Sequence, residues 1–298
     1  MVQECAEGRI MKELAPYDAA ALADIRTFKN PESNFFGRMG SVLSRPMNAA
    51  NAALGKIPGL DKVCGLAASG IMATVSTGAA FTVRTDAIFR EFREKGHARV
   101  QSAADIAALD LEQVDRVVGH LAAKYDSLAG AGGATIGLGS MNPITAAAAV
   151  AADVPVFAGL CFRAIGEYAT YYGFDISDPQ ERMFMMHVFE LASESNVKKG
   201  RKMLVNKLGK MSRRIVFGGG SKAGGQAFSA MASKVARLLG LRLTQGKMAM
   251  LIPAAGVLLN SGFNVYMMDK VCSTASMMYR ERFLARRYGD ESLIGMAE

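Results

Sequence analysis

Residues 128–173 read LAGAGGATIGLGSMNPITAAAAVAADVPVFAGLCFRAIGEYATYYG. How this stretch is read decides the fold. From Asp126 to Arg163 the one intervening charge is Asp153. The first third is rich in glycine and the second in alanine; the last opens with Asp153-Val-Pro155 and continues at helical spacing. Pro143 divides the uncharged part, and a proline clashes with the preceding turn, so the two halves do not read as one straight helix. Asp153 reads as an N-cap with Pro155 in the first turn, where a missing N–H does no harm. Gly173 reads as the stop. Small residues at this density let backbones approach closely, which predicts a hairpin-like unit onto which other helices pack.

The same signals recur outward from this unit. Downstream, Asp178-Pro-Gln-Glu181 combines a cap, a proline at the first helical position and an early acid, predicting a helix from Pro179 to about Asn196. Residues 197–217 form a basic amphipathic pattern with Leu204, Leu208, Met211 and Ile215 as its apolar stripe. Helices are predicted over about 226–240 and from Asp269 to Tyr288. Upstream, a helical pattern runs from Lys62 to about Lys95 and ends at Gly96. In it Gly65, Ser69, Ala73 and Thr77 fall four apart, as do Gly70, Thr74 and Gly78, which predicts two tightly packing ridges. Asp110-Leu-Glu-Gln113 resembles a capping box opening a helix over 111–127. Residues 10–28 are helical in pattern, and 32–61, with Pro46 and Pro58, read as short helices and turns. No period-two strands and no fixed repeat occur. The fold class is all-α, a single multi-helix bundle with Gly/Ala-rich buried helical hairpins. Residues 1–61 form N-terminal helices and turns continuous with a helical domain over 62–298.

Three uncharged stretches of transmembrane length occur, at Val63–Val83, within 128–162 and at Met248–Met268. They are dominated by small residues, and mean hydropathy is only +0.15. Buried core helices fit that composition better than membrane spans. With 50% apolar and 21% charged residues, the chain can bury a large core. Nineteen methionines suit irregular gaps between helices. Cys5, Cys64, Cys161 and Cys272 are far apart and form no CxxC pair, which fits a reducing cytoplasm. The N-terminus carries acids and no apolar run, unlike a secretory signal.

Net charge is +8, but its distribution matters more. Between Ser195 and Met268 there is no acid and there are thirteen cations, leaving 22 basic against 27 acidic residues elsewhere. Such asymmetry points to an anionic partner. The candidate anion-binding residues are Lys198, Lys199, Arg201, Lys202, Lys207, Lys210, Arg213 and Arg214.

Catalytic motifs are sparse. His97, His120 and His187 have no metal-ligand spacing, and His187 reads as a satisfied core histidine. Gly218-Gly-Gly-Ser-Lys222 lacks the phosphate-loop spacing and a preceding strand. Gly219 to Ala223 misses the nucleophile elbow at its last position. No motif calls for a cofactor or a metal. Two polar series inside apolar helices are more informative. Arg163, Glu167 and Tyr171 recur every four residues, and Arg163 and Glu167 are expected to pair. Gly256, Asn260 and Asn264 recur likewise, and buried amides need partners. A polar network is one reading. A ligand pocket formed by Asp153, Arg163, Glu167, Asn260 and Asn264 is the other.

Several segments, in order, resemble the EcsC family. They are Leu22 to Pro31, Arg45-Pro46, Ile57-Pro58, Gly130 to Gly139 with Thr135, Ala152-Asp-Val-Pro155 and Tyr171-Tyr-Gly173. Asp178-Pro-Gln-Glu181-Arg182, Lys247, Ile252-Pro253, Gly256, Asn260, Phe263 and Tyr279-Arg-Glu-Arg282-Phe283 complete the set. The resemblance covers nearly the whole chain. It implies no agreed reaction and no catalytic residues. The family takes its name from a protein encoded beside an ABC transporter's ATPase and permease, so transporter or envelope components become candidate partners. Some relatives carry protease labels, for which this sequence has no metal-ligand spacing.

The expectation is therefore a cytoplasmic helical protein, peripheral to the inner membrane. Residues 195–268 would bind an anionic membrane surface, in a non-enzymatic accessory role. The alternative is a hydrolase or lipid-modifying enzyme with a polar pocket between the central helices. Nucleic acid is not expected as a partner, because the charge lacks aromatic interleaving.

Overall fold

The computed structural model describes residues 14–30, 59–133, 143–194, 199–218, 225–249 and 260–295. Among them, in order, are α1 (Pro16–Lys29), α2 (Leu60–Ser76), a 3-10 turn (Ala79–Phe81), α3 (Thr85–Glu94), α4 (Ala103–Ala107), α5 (Leu111–Val118) and α6 (Leu121–Gly133). Then come α7 (Pro143–Tyr171), α8 (Pro179–Ala192), α9 (Lys199–Phe217), α10 (Gly225–Ala249), α11 (Asn260–Tyr288) and a closing 3-10 turn (Glu291–Leu293). The described residues contain no strand, so the all-α class holds.

α7 is the centre of the molecule and packs against α2, α8, α10 and α11. It differs from the sequence reading in one respect. The helix begins at Pro143, so Asp153 is not a cap and Pro155 lies inside the helix. Proline at the first helical position is favourable at Pro143, and at Pro155 the helix continues through the missing hydrogen bond because neighbours clamp it. Gly70 of α2 is one clamp: a Cβ there would lie 2.5 Å from Pro155 Cγ, so the glycine lets the ring seat against the α2 backbone. α2 is held from its other side by α10, where a Cβ on Gly240 would lie 2.8 Å from the Ala68 backbone.

Of the two small-residue ridges on α2, the one carrying Gly70 and Thr74 meets α7, while Gly65, Ser69, Ala73 and Thr77 are exposed. The buried stripe of α2 is Cys64, Ala67, Ala68, Ile71 and Val75. The long pattern from Lys62 to Lys95 is also broken: α2 and the segment Ala79–Glu94 meet at 67°, with Gly78 at φ 78° in the left-handed region that favours glycine.

Helix ends follow the local chemistry. After α3, Gly96 N–H donates to the Arg93 carbonyl and His97 N–H to the Phe92 carbonyl, a double C-terminal closure around a left-handed glycine. After α7, Gly173 and Phe174 close on Thr170 and Ala169 in the same way. Arg286 of α11 then donates to the Gly173 and Tyr172 carbonyls, both at 2.7 Å. A cation at a helix C-terminus complements the helix dipole. Asp178 caps α8 by accepting from the Gln180 N–H, and the Asp110 N–H donates to Gln113 Oε1 at the start of α5. The helix predicted over 111–127 is two helices, α5 and α6. α10 reaches Ala249, nine residues beyond its predicted end, and α11 starts at Asn260, inside the third uncharged stretch.

Candidate functional site

Where α2, α6, α7 and α11 meet, an open groove of about 430 Å³ runs along the outer side of α7. One row of α7 residues lines it, from Asp153 through Val156 and Leu160 to Arg163. At 1.5 Å per residue this row spans roughly 15 Å. Leu128 of α6, Thr74 of α2 and Asn264 of α11 form the facing walls.

The groove's polar floor rests on a residue from a fifth helix. Lys247 of α10 is fully buried, and its ammonium donates to Asp153 Oδ2 and, at 2.6 Å, to Asn264 Oδ1. It lies 4.8 Å from the Phe157 ring centroid. Burial pulls the ammonium below the usual lysine range, and the Asp153 carboxylate opposes the drop. A buried cation is tolerated only when paired and hydrogen-bonded, and here two helices, α7 and α11, supply the partners. Asp153, Arg163 and Asn264, three of the five pocket candidates, thus line one cavity.

The other two candidates lie elsewhere or outside the description. Glu167 does not pair with Arg163; its carboxylate takes Lys124 of α6 at 2.6 Å. Tyr171 turns to α3 and donates to Glu91 at 2.5 Å. Residues four apart on a helix drift by about 40° per step, so the series Arg163, Glu167, Tyr171 fans out to different neighbours. Asn260 opens α11, and its side chain lies outside the described residues, as does Gly256.

The basic segment divides into inward and outward cations. Arg201 donates to the Phe28 carbonyl at 2.9 Å and stacks on the Phe28 ring. Arg213 reaches the Ile294 carbonyl at 2.7 Å. Arg242 binds Glu194 and Ser193. With Lys247, these four of the thirteen cations serve the fold. Lys202, Lys207, Lys210 and Arg214 remain exposed on one side of α9, opposite its buried Leu204, Val205, Leu208 and Ser212. Met203 sits among them, 65% exposed. Burial lowers the proton affinity of the Lys207 ammonium, Glu190 opposes the drop and Lys234 of α10 adds a smaller repulsion. Lys198, Lys222 and the Lys199 side chain lie outside the described residues.

Four further chemistry-bearing groups are sealed. His187 is buried, with Nδ1 2.8 Å from Glu190. Cys64, Cys161 and Cys272 are free and buried, and burial pushes the Cys272 thiol up to about 12. Among the described residues no cluster of three His, Cys, Asp or Glu side chains is placed to hold a metal. The sequence reading missed two partners. Lys247 counts in the sequence as one of the thirteen cations of the acid-free segment, although its place at the edge of an uncharged stretch signals burial. Glu181 was read as a helix-start acid, yet it binds the buried Arg282 at 2.7 and 2.8 Å.

Comparison with known proteins fits this architecture to a family. The chain is 24% identical to "Uncharacterized protein YdbA" of Bacillus subtilis (strain 168) over 220 residues, 72% of this chain and 74% of that protein. It is 31% identical to "Protein EcsC" of the same organism over 100 residues, 34% of this chain and 39% of that one. No solved structure matches significantly. The model of the EcsC protein family matches residues 23–284, a span that includes Asp153, Lys247 and Asn264, and the chain belongs to this family.

Proposed function

We propose that the protein attaches reversibly to an anionic membrane surface through the outer side of α9, in a non-enzymatic accessory role at the inner face of the membrane. One observation carries the reading: the exposed side of α9 presents Lys202, Lys207, Lys210 and Arg214 with the apolar Met203 among them. A cation near an anionic bilayer contributes about 1 kcal/mol, and an exposed apolar side chain adds insertion into the headgroup layer. Four such cations give attachment that is salt-sensitive rather than permanent. Among the described residues one helix, Ala146–Tyr171, is by itself long and apolar enough to cross a membrane, and half of its apolar window is buried against the rest of the fold. The peripheral reading does not draw on that helix. Transporter or envelope components, suggested by the naming protein's genetic neighbourhood, are the partners it would bring to the membrane.

Vesicle co-sedimentation tests the reading. Anionic vesicles are expected to carry down the protein at low salt and release it at high salt, and neutral vesicles to leave it in solution. The double variant Lys207→Glu, Lys210→Glu should lose most of the binding while keeping its helical content. Equal recovery on neutral and anionic vesicles would overturn the reading. The enzymatic alternative has weaker support, because Lys247 and Lys124 already hold the Asp153 and Glu167 carboxylates that would act as acid or base.

A further inference from the structure

We propose that the groove along α7 binds the single hydrocarbon chain of an anionic amphiphile, a long-chain carboxylate, with its head at Arg163. The inference concerns a different face from α9 and stands apart from the membrane reading. Three observations carry it.

The first is the character of the walls. Between its two polar ends the groove offers Leu128, Val156, Phe157 and Leu160. Val156 is 72% exposed and Leu128 45%, so apolar surface lines an open cleft. A peptide laid there would bury backbone amides against hydrocarbon, which is unfavourable. An alkyl chain has no such groups.

The second is the asymmetry of the ends. Arg163 is exposed, and no hydrogen bond or ion pair engages its guanidinium among the described residues; Lys124 occupies the Glu167 carboxylate that the helix spacing would have offered it. At the far end stands the Asp153 carboxylate, bonded to Lys247 on one oxygen. A carboxylate head is attracted at the Arg163 end and repelled at the Asp153 end, so the charges set the direction of the chain.

The third is Gly159. It lines the groove midway between Val156 and Arg163, and a Cβ placed on it would meet nothing within 4 Å. Neighbouring glycines are filled by contacts: Gly166 by Val83 and Met185, and Gly70 by Pro155. At Gly159 the missing side chain leaves space that belongs to the groove.

The test is titration of purified, delipidated protein with a fluorescent long-chain fatty acid in membrane-free buffer, beside the corresponding fatty alcohol. Wild type is expected to bind the acid saturably at one site. Gly159→Leu, whose side chain enters open space on a helix, should fold and bind at least ~10-fold more weakly, since the chain has lost its channel. Val156→Glu, at an exposed position, should weaken acid binding similarly and serves if the first variant misfolds. Arg163→Gln should weaken the acid about 5–10-fold and leave the alcohol unchanged. No saturable binding by wild type overturns the proposal. So does binding that survives both groove-filling changes, or an Arg163→Gln effect equal for acid and alcohol. Failure of α9 charge variants to reach vesicles has no bearing on this titration, so the two readings fall separately.

Discussion

Arg282 and Lys247 are both cations with no solvent exposure, each held by a carboxylate from another helix, yet their surroundings differ. Arg282 meets Glu181 through two parallel hydrogen bonds, and Tyr279 donates to the same carboxylate at 2.7 Å. The Phe174 and Phe184 rings lie 4.0 and 4.2 Å from its guanidinium carbon. Glu181 is itself 3% exposed, so the pair is closed on every side. Lys247 has one ring, one amide and a carboxylate that is 15% exposed at the groove floor. The chemistry of the two pairs is alike. What differs is the access of the anion to solvent, and that separates a staple of the core from the wall of a site.

The comparison breaks most readily at Glu181. Glu181→Ala strands the buried Arg282 and is expected to destabilise the protein by about 3–5 kcal/mol in urea unfolding. A loss below ~1 kcal/mol would show that water reaches the guanidinium, and the contrast would vanish. Lys247→Met is expected to be milder, about 1–3 kcal/mol, because Asp153 can draw on groove water while Asn264 loses its donor. Adding Asp153→Leu to Lys247→Met should recover part of that loss, since removing both charges also removes the stranded anion. If the double variant is worse than the single, the pair is more than mutual neutralisation.

A third cation, partly buried, sharpens the contrast through pH. Lys270 donates to the Glu194 carbonyl at 3.3 Å, and burial with Arg201 and Arg242 nearby pulls its ammonium down to about 8, Glu194 opposing. Its folded-state value lies below the ordinary 10.5, so between the two the unfolded chain holds more protons. Stability should therefore rise with pH across that window, and Lys270→Met should flatten the rise. An unchanged slope in chemical denaturation at pH 8 and pH 10 would show the ammonium to be solvated. The smallest effect belongs to the groove: Gly159→Ala is expected to stabilise the helix by about 0.5–1 kcal/mol, because the added methyl meets nothing. A destabilisation there would mean the groove is narrower than its walls imply.

Much of this architecture was legible in the chain. Gly96 and Gly173 end helices because each needs a left-handed backbone, and that need is written in the residue itself. Asp178 and Asp110 sit at helix starts for equally local reasons. Pro155 misled because its tolerance inside α7 depends on Gly70, 85 positions away, and on no neighbour in sequence. Likewise Arg163 and Glu167 satisfy the spacing rule for a helical ion pair, yet Lys124 approaches from α6 and takes the glutamate.

By itself the sequence determined the all-helical class, the helix stops at Gly96 and Gly173, the helix starts at Asp110 and Asp178, the family and the cationic bias of residues 195–268, because all of these are set by local backbone preference, apolar periodicity and composition. Only the tertiary structure decided which cations turn inward, which carboxylate holds Lys247, and that Asp153, Arg163 and Asn264 line one groove. Those outcomes rest on which helices lie side by side. Such adjacency is settled by close backbone approach, at Gly70 against Pro155 and Gly240 against Ala68, between segments far apart in the chain.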